Sequence, residues 1–273
     1  MTCTKFFTSP LIVLSLLVMA CGPDSPDQGL LVKEMSIDHT GVSFVNEVRE
    51  QEDFNILNYR NFYIGWGLAI GDLNNDGWPD IYFTANMATN KLYLNKGNWS
   101  FEDITEQAGV QGTRSWSTGV TMVDVNGDGW LDIYVCNSGD LEGSNKTNEL
   151  FINQGDLTFV ESSAVFGLDD HGYSTHASFF DFDGDGDLDC YLLNNSFKSI
   201  DRVELFTQRR ELRDTLGGDK LLRNDNGLFT DISAEAGIYG GAVGFGLGVS
   251  VSDLNGDMRP DLYIAHDFCE REY

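Results

Sequence analysis

Four short stretches of this chain set oxygen donors at alternate positions of a tight turn. The first runs from Asp72 to Asp80, the second from Asp124 to Asp132, the third from Asp181 to Asp189 and the fourth from Asp253 to Asp261; all share the spelling D-x-[DN]-x-[DN]-G-x-x-D, except that Met258 stands where the fourth should have its glycine. Calcium takes about six to eight hard oxygen ligands at roughly 2.3–2.6 Å in a flexible shell. Positions 1, 3 and 5 supply side-chain oxygens: Asp72, Asn74 and Asp76; Asp124, Asn126 and Asp128; Asp181, Asp183 and Asp185; Asp253, Asn255 and Asp257. The glycine at position 6 turns the chain, so that position 7 offers a backbone carbonyl, from Trp78, Trp130, Asp187 or Arg259. Position 9 closes the shell with Asp80, Asp132, Asp189 or Asp261.

No glutamate stands at position 12 of any copy, and the flanks read as strands, so these are hairpin loops and not EF-hands. A lone Asp-Gly cluster is as readily an ordinary turn; four in register argue for up to four bound Ca²⁺. Magnesium fits less well, because it demands a rigid octahedron and keeps its waters. At the fourth loop Met258 in place of glycine predicts a strained, weaker or empty site.

These loops account for thirteen liganding acids, against 43 acids and 17 bases in the whole chain and a formal net charge of −26. Such a surface excludes nucleic acid as a partner, since that needs clustered Lys and Arg. The four histidines, His39, His171, His176 and His266, sit in no H-E-x-x-H pattern, and no serine occupies a G-x-S-x-G elbow. No glycine loop followed by lysine is present to cradle phosphate. The paired carboxylates are already used by the metal reading, which leaves a glycosidase pair without separate support.

Strands must hold these loops. In the first unit Trp66–Gly71 leads into the loop, Ile81–Ala85 leads out, and Lys91–Asn95 and Phe101–Thr105 follow, before a close at Ala108-Gly109-Val110. The layout recurs with Ile133–Val135, Leu150–Asn153, Phe159 and Phe166-Gly167-Leu168, then with Leu221–Asn224, Phe229–Ile232 and Ala236-Gly237-Ile238. A fourth unit has only its start, Gly246–Val251 and Leu262–Ile264. Four short strands per unit of about fifty residues are the mark of a propeller blade. The fold expected is all-β, a β-propeller with three complete blades and a fourth incomplete, the blades falling near 62–110, 112–168, 172–238 and 242–273 within a domain of 41–273. Gly41–Val48 alternates like a further strand able to complete a last blade. Missing strands make the chain read as the N-terminal portion of a longer protein. The third unit also carries an insertion near 196–218, with Lys198, Arg202, Arg209, Arg210 and Arg213, spaced for a short amphipathic helix.

Residues 1–20 read as an export signal: Lys5, then an apolar run from Leu11 to Ala20, too short to span a membrane. Val18-Met19-Ala20-Cys21-Gly22 resembles a bacterial lipobox, which implies cleavage before Cys21, a lipid on its sulfur and a tether over 21–40. The localisation expected is an exported, membrane-anchored bacterial lipoprotein at the outer membrane or cell surface, with membrane contact through the anchor only. The three cysteines beyond it, Cys136, Cys190 and Cys269, are an odd number and read as buried thiols.

The loops and glycine-flanked strands resemble the FG-GAP and VCBS repeats of the integrin α-subunit type. The closing segment Phe101–Val110 is closer to the cartilage-acidic-protein-like group, which includes bacterial surface lipoproteins with a C-terminal ASPIC/UnbV domain. The resemblance implies a seven- or eight-bladed propeller with calcium in its hairpin loops and supplies no settled activity. The function expected is a calcium-stabilised, non-catalytic binding or adhesion module for protein or glycan. The alternatives are a propeller scaffold for an enzyme whose catalytic part lies downstream of residue 273, and a structural subunit of a surface complex.

Overall fold

The computed structural model describes residues 32–59, 62–63, 65–139, 146–195, 212–241 and 244–267. The chain divides into two units, Met1–Met35 and Ser36–Tyr273. Of the first, only residues 32–35 are described, an exposed or half-buried stretch without regular structure. The export signal, Cys21, Cys269 and the predicted helix of the 196–218 insertion up to residue 211 lie outside the described residues.

The second unit opens with a single helical turn, α1 (Ile37–Thr40), capped by Gly41 in the left-handed region. Three antiparallel sheets follow, each made of four consecutive strands in chain order. The first holds β1 (Leu68–Gly71), β2 (Asp80–Phe83), β3 (Lys91–Asn95) and β4 (Phe101–Asp103); the second β5 (Ser117–Val123), β6 (Asp132–Asn137), β7 (Glu149–Asn153) and β8 (Phe159–Glu161); the third β9 (Ser174–Phe180), β10 (Asp189–Asn194), β11 (Lys220–Asn224) and β12 (Phe229–Asp231). β13 (Gly246–Ser252) and β14 (Asp261–His266) form a two-stranded fourth sheet. One-turn helices α2 (Thr105–Ala108) and α3 (Ser163–Phe166) close the first two sheets.

The first strands of successive sheets pack on one another, β1 on β5, β5 on β9 and β9 on β13. A separate apolar core fills each junction. Ala69, Leu92, Ile133 and Phe151 lie between sheets one and two, Tyr134, Leu150, Leu192 and Leu222 between two and three, and Phe180, Leu193 and Ile264 between three and four. Four-stranded meanders stacked side by side about their first strands are propeller blades. Strands buried on both faces read as continuous apolar runs rather than alternating ones, and β6 and β10, buried throughout, carry Ile-Tyr-Val-Cys and Cys-Tyr-Leu-Leu between their polar ends. In the first three sheets a tyrosine of the second strand spends its hydroxyl inside the blade, Tyr82 on the Val110 carbonyl at 2.6 Å, Tyr134 on that of Leu168 at 3.0 Å and Tyr191 on the Asp219 carboxylate at 2.9 Å. Cys136 and Cys190 are free thiols buried in the second junction, as expected, and burial pushes both well above the usual thiol range.

Three local expectations are corrected. Gly41–Val48 is not a strand. Its side chains do alternate between exposed and half-buried, but it lies on the first sheet without joining a ladder. Phe44 stacks on Phe83 at 4.7 Å, the Ser43 amide donates to the Tyr93 hydroxyl at 3.3 Å, and Asn46 exchanges bonds with Asn86. Periodicity revealed a one-sided extended chain; it carried no information about a pairing partner. The strand expected over Phe101–Thr105 stops at Asp103, whose Oδ1 accepts the Thr105 amide at 3.0 Å and its hydroxyl at 2.5 Å and so starts α2. The strand expected to reach Ala85 ends at Phe83, because the Ala85 amide donates instead to Asn90 Oδ1 at 2.9 Å.

Candidate metal-binding loops

Each acidic stretch connects the first two strands of a sheet. The hairpins close on the pairs Gly71–Asp80, Val123–Asp132, Phe180–Asp189 and Ser252–Asp261, so the last aspartate of each motif sits in the ladder directly opposite the residue before the first. All four loops therefore emerge from the same end of the inner strands. The first two touch: Asn75 Nδ2 donates to the Gly129 carbonyl at 3.1 Å.

The aspartate at position 1 organises the turn. Asp72 accepts the amides of Asp76 at 3.1 Å and Gly77 at 2.7 Å. Asp124 accepts those of Asp128 at 3.1 Å and Gly129 at 2.8 Å. Asp181 accepts those of Gly184 at 2.7 Å and Gly186 at 3.1 Å. Asp253 accepts those of Gly256 at 2.6 Å, Asp257 at 3.1 Å and Met258 at 2.8 Å. Positions 3 and 5 continue the pattern: Asn74 and Asp76, Asn126 and Asp128, Asp183 and Asp185, and Asn255 and Asp257 each accept the amide two residues on. Those amides at position 7 belong to Trp78, Trp130, Asp187 and Arg259.

The fourth loop keeps this conformation without its glycine. Met258 takes φ +66°, beside +88°, +89° and +100° at Gly77, Gly129 and Gly186. Its side chain is 92 % exposed, so nothing obstructs the turn. Position 4 is also left-handed in every copy, at Asn75, Gly127, Gly184 and Gly256. That requirement went unnoticed in the sequence, although the series Asn, Gly, Gly, Gly is the residue set that tolerates positive φ.

Position 9 is where the loops meet the fold. Asp80, Asp132 and Asp189 are buried, and each carboxylate holds two backbone amides. One is that of position 2 (Leu73, Val125, Phe182) at 3.0–3.1 Å; the other is that of the last residue of the third strand (Asn95, Asn153, Asn224) at 2.8 Å. Burial pushes these three carboxyls above the ordinary range. The two amides oppose that shift and the neighbouring aspartates add to it, and Asp132 is pushed up to about 6. Asp261 accepts one amide, that of Leu254 at 2.9 Å.

Sequence reasoning missed the asparagine at the end of each third strand. Asn95 donates to the Pro79 carbonyl at 2.8 Å, Asn153 to those of Leu131 at 3.1 Å and Leu73 at 2.8 Å, and Asn224 to that of Leu188 at 3.1 Å. Each also accepts a glycine amide from the next turn, Gly97, Gly155 or Gly227. The recurring Asn after Leu-Tyr-Leu, Leu-Phe-Ile and Leu-Leu-Arg was the signal for it. Asn153 reaches across to the neighbouring loop and so ties the first two loops together.

The donor set fits a hard cation. In the third loop the carboxylate oxygens of Asp181, Asp183 and Asp189 lie within 4.8 Å of one another. Asp187, expected to contribute only its backbone, carries a buried Oδ1 with no hydrogen-bond partner, and burial together with the charges of Asp185 and Asp183 raises its carboxyl above the usual range. Among the described residues no Lys, Arg or His forms an ion pair with any of these loop carboxylates. Converging carboxylates without a counter-charge are the arrangement that a metal ion relieves.

Antiparallel four-stranded blades, each with an acidic loop in its inner hairpin, define a propeller of the FG-GAP type, and residues 72–135 and 137–192 match the FG-GAP-like repeat. The chain carries FG-GAP-like repeats over those residues and is similar to the cartilage acidic proteins. It is 28 % identical to cartilage acidic protein 1 of Mus musculus over 207 residues and 27 % identical to that of Homo sapiens over 207 residues, in each case across 74 % of this chain. It spans 29 % and 28 % of those two relatives.

Proposed function

We propose that the chain is a non-catalytic binding module, rigidified by calcium in its hairpin loops, that presents a propeller surface to protein or glycan partners outside the cytoplasm. The observation that carries this reading is the shared loop architecture, with carboxylates converging in the third loop, no ion pair to the loop carboxylates among the described residues, and an orphaned oxygen at Asp187. In the first loop Asp72, Asn74, Asp76, the Trp78 carbonyl and Asp80 would hold the ion; the corresponding positions do so in the others, with the Asp187 carboxylate added in the third. Bound calcium supplies positive charge that offsets the mutual repulsion of the aspartates and locks each hairpin.

A non-catalytic role is supported by three of the four histidines. His39 contacts the Asn98 carbonyl and His171 the Thr147 hydroxyl, both at the surface. His266 pairs with Asp219 at 2.9 Å, with side chains 3 % and 1 % exposed, which leaves that pair no access to a substrate. The export signal and lipobox resemblance support an extracytoplasmic setting, where calcium is abundant. Loss of palmitate labelling in Cys21→Ser tests the anchor.

Thermal unfolding of the purified chain tests the metal. A ligand specific for the folded state adds about 2.7 kcal/mol at a hundredfold excess over Kd. The expected result is a cooperative transition raised by several degrees in calcium, little in magnesium, and lowered by chelation. A transition indifferent to calcium would overturn the reading.

A further inference from the structure

The inner strands β1, β5, β9 and β13 wall a cavity of about 370 Å³, at the low end of the roughly 300–1,000 Å³ range of small-molecule sites. It is open to solvent on one side, and its lining mixes apolar side chains, with Ile70, Val120, Met122 and Phe179 among the contributors, with about as much polar surface. Three residues add polar groups. The Thr121 hydroxyl is already spent, donating to the Ala177 carbonyl at 2.7 Å. His176 and Ser178 are two apart on β9 and so share a side of the strand. Neither side chain has a hydrogen-bond partner among the described residues, although both are half-buried.

Comparison of the blades marks His176 as a departure. Five residues before the first aspartate of each loop stand Gly67, Gly119, His176 and Gly248. In the first two blades glycine is required there, since this is the point where one inner strand presses on the next. A Cβ on Gly67 would lie 2.6 Å from the Thr118 carbonyl oxygen, and one on Gly119 would lie 2.9 Å from both Cα and Nδ1 of His176. The third blade places an imidazole at the same position, against Gly119. Packing rules for this repeat ask for glycine, and the scaffold instead carries a hydrogen-bonding ring.

We propose that this axial cavity binds a small uncharged molecule with an apolar body and one carbonyl or hydroxyl group, recognised by His176 and Ser178. Among the described residues the lining contains no Lys or Arg to hold an anion and no Asp or Glu to hold a cation. Burial lowers the His176 pKa, which favours a neutral ring with one N–H and one lone pair for such a group. His176 and Ser178 thus leave hydrogen-bonding groups open to the groove, where a ligand carbonyl or hydroxyl can engage them.

Prodan is a suitable probe, being uncharged, with a naphthalene body and a single ketone. It would be titrated into the full chain in calcium and followed by fluorescence. The expected result is saturable, blue-shifted emission at one site per chain, weakened about tenfold by His176→Gly, the residue of the other three blades, and several-fold by Ser178→Ala. The unfolding transition in calcium checks that both variants remain folded; if His176→Gly is not, Ser178→Ala decides. Emission that never saturates, or saturable binding unchanged in the folded variants, would overturn the proposal.

Discussion

The first three acidic loops and the fourth share a backbone and differ in what stands behind them. In all four, position 1 gathers the turn amides and positions 4 and 6 are left-handed. In the first three, position 2 is buried or half-buried against a neighbouring blade, position 9 is buried, and an asparagine from the third strand bonds the carbonyl at position 8. In the fourth, Met258 replaces glycine and, among the described residues, Leu254 is 65 % exposed and Asp261 accepts a single amide. Loop conformation is thus a local property of the nine residues, whereas its rigidity is lent by the blade. Calcium affinity should follow rigidity, because a preorganised shell loses less freedom on binding.

The hardest test of that distinction removes the ninth residue. Asp132→Ala strands the buried amides of Val125 and Asn153, and at about 1–3 kcal/mol for each lost partner the domain should lose roughly 3–4 kcal/mol. Asp261→Ala frees one exposed amide and should cost under about 1 kcal/mol. Urea denaturation in saturating calcium measures both. Equal losses would mean that the blade does not brace the loop.

Asn153→Ala probes communication between blades. It deletes bonds to the position-8 carbonyl of its own loop and to the Leu73 carbonyl of the preceding one, for an expected loss of about 2 kcal/mol. Calcium titration by calorimetry should show two sites weakened, whereas Asn95→Ala, which bonds only Pro79 and Gly97 in its own blade, should weaken one. One weakened site in each variant would separate the loops.

Acidity offers a further contrast between the metal-free and the loaded domain. The Asp132 carboxyl is raised in the folded state to about 6, so its contribution to stability is present at low pH and is lost as pH rises through about 6. Asp80 and Asp189 shift in the same direction. Metal-stripped protein should therefore melt at a lower temperature at pH 7 than at pH 5. Calcium, which needs the deprotonated ligands, should reverse that order. Melting temperatures at the two pH values, with and without calcium, decide it.

Much of this architecture was legible because it repeats. Four copies of the loop motif fixed the hairpins, and the strands beside them followed from alternation; Lys91–Asn95 falls where the pattern set it. Elements dependent on one long-range partner were illegible. Gly41–Val48 alternates as a strand does, yet only the position of Phe83 and Asn86 explains why it lies across a sheet and pairs with none. At the site, donor positions could be read from spacing, because a cation constrains consecutive residues. The Asn153 bond to Leu73 joins residues 80 apart, and no local rule anticipates it. Asp187 was half-legible: its position in the shell followed from spacing, but the orphaned oxygen depends on burial.

Met258 gives the smallest and most direct comparison. A non-glycine residue in the left-handed region costs about 1–2 kcal/mol, part of which glycine returns through its greater freedom in the unfolded chain. With the Met258 side chain in solvent, Met258→Gly sacrifices no packing and should stabilise the domain by about 0.5–1 kcal/mol while tightening calcium at the fourth loop. The reverse change, Gly129→Met, should cost about 1 kcal/mol in the second loop, where nothing lies within 4 Å of the added Cβ and strain is therefore the whole effect. If Met258→Gly leaves the fourth site as weak as before, the turn residue is not its defect. The contacts around Asp261 would then be the cause, and rigidity conferred by the surroundings would govern affinity even where the loop itself is relaxed.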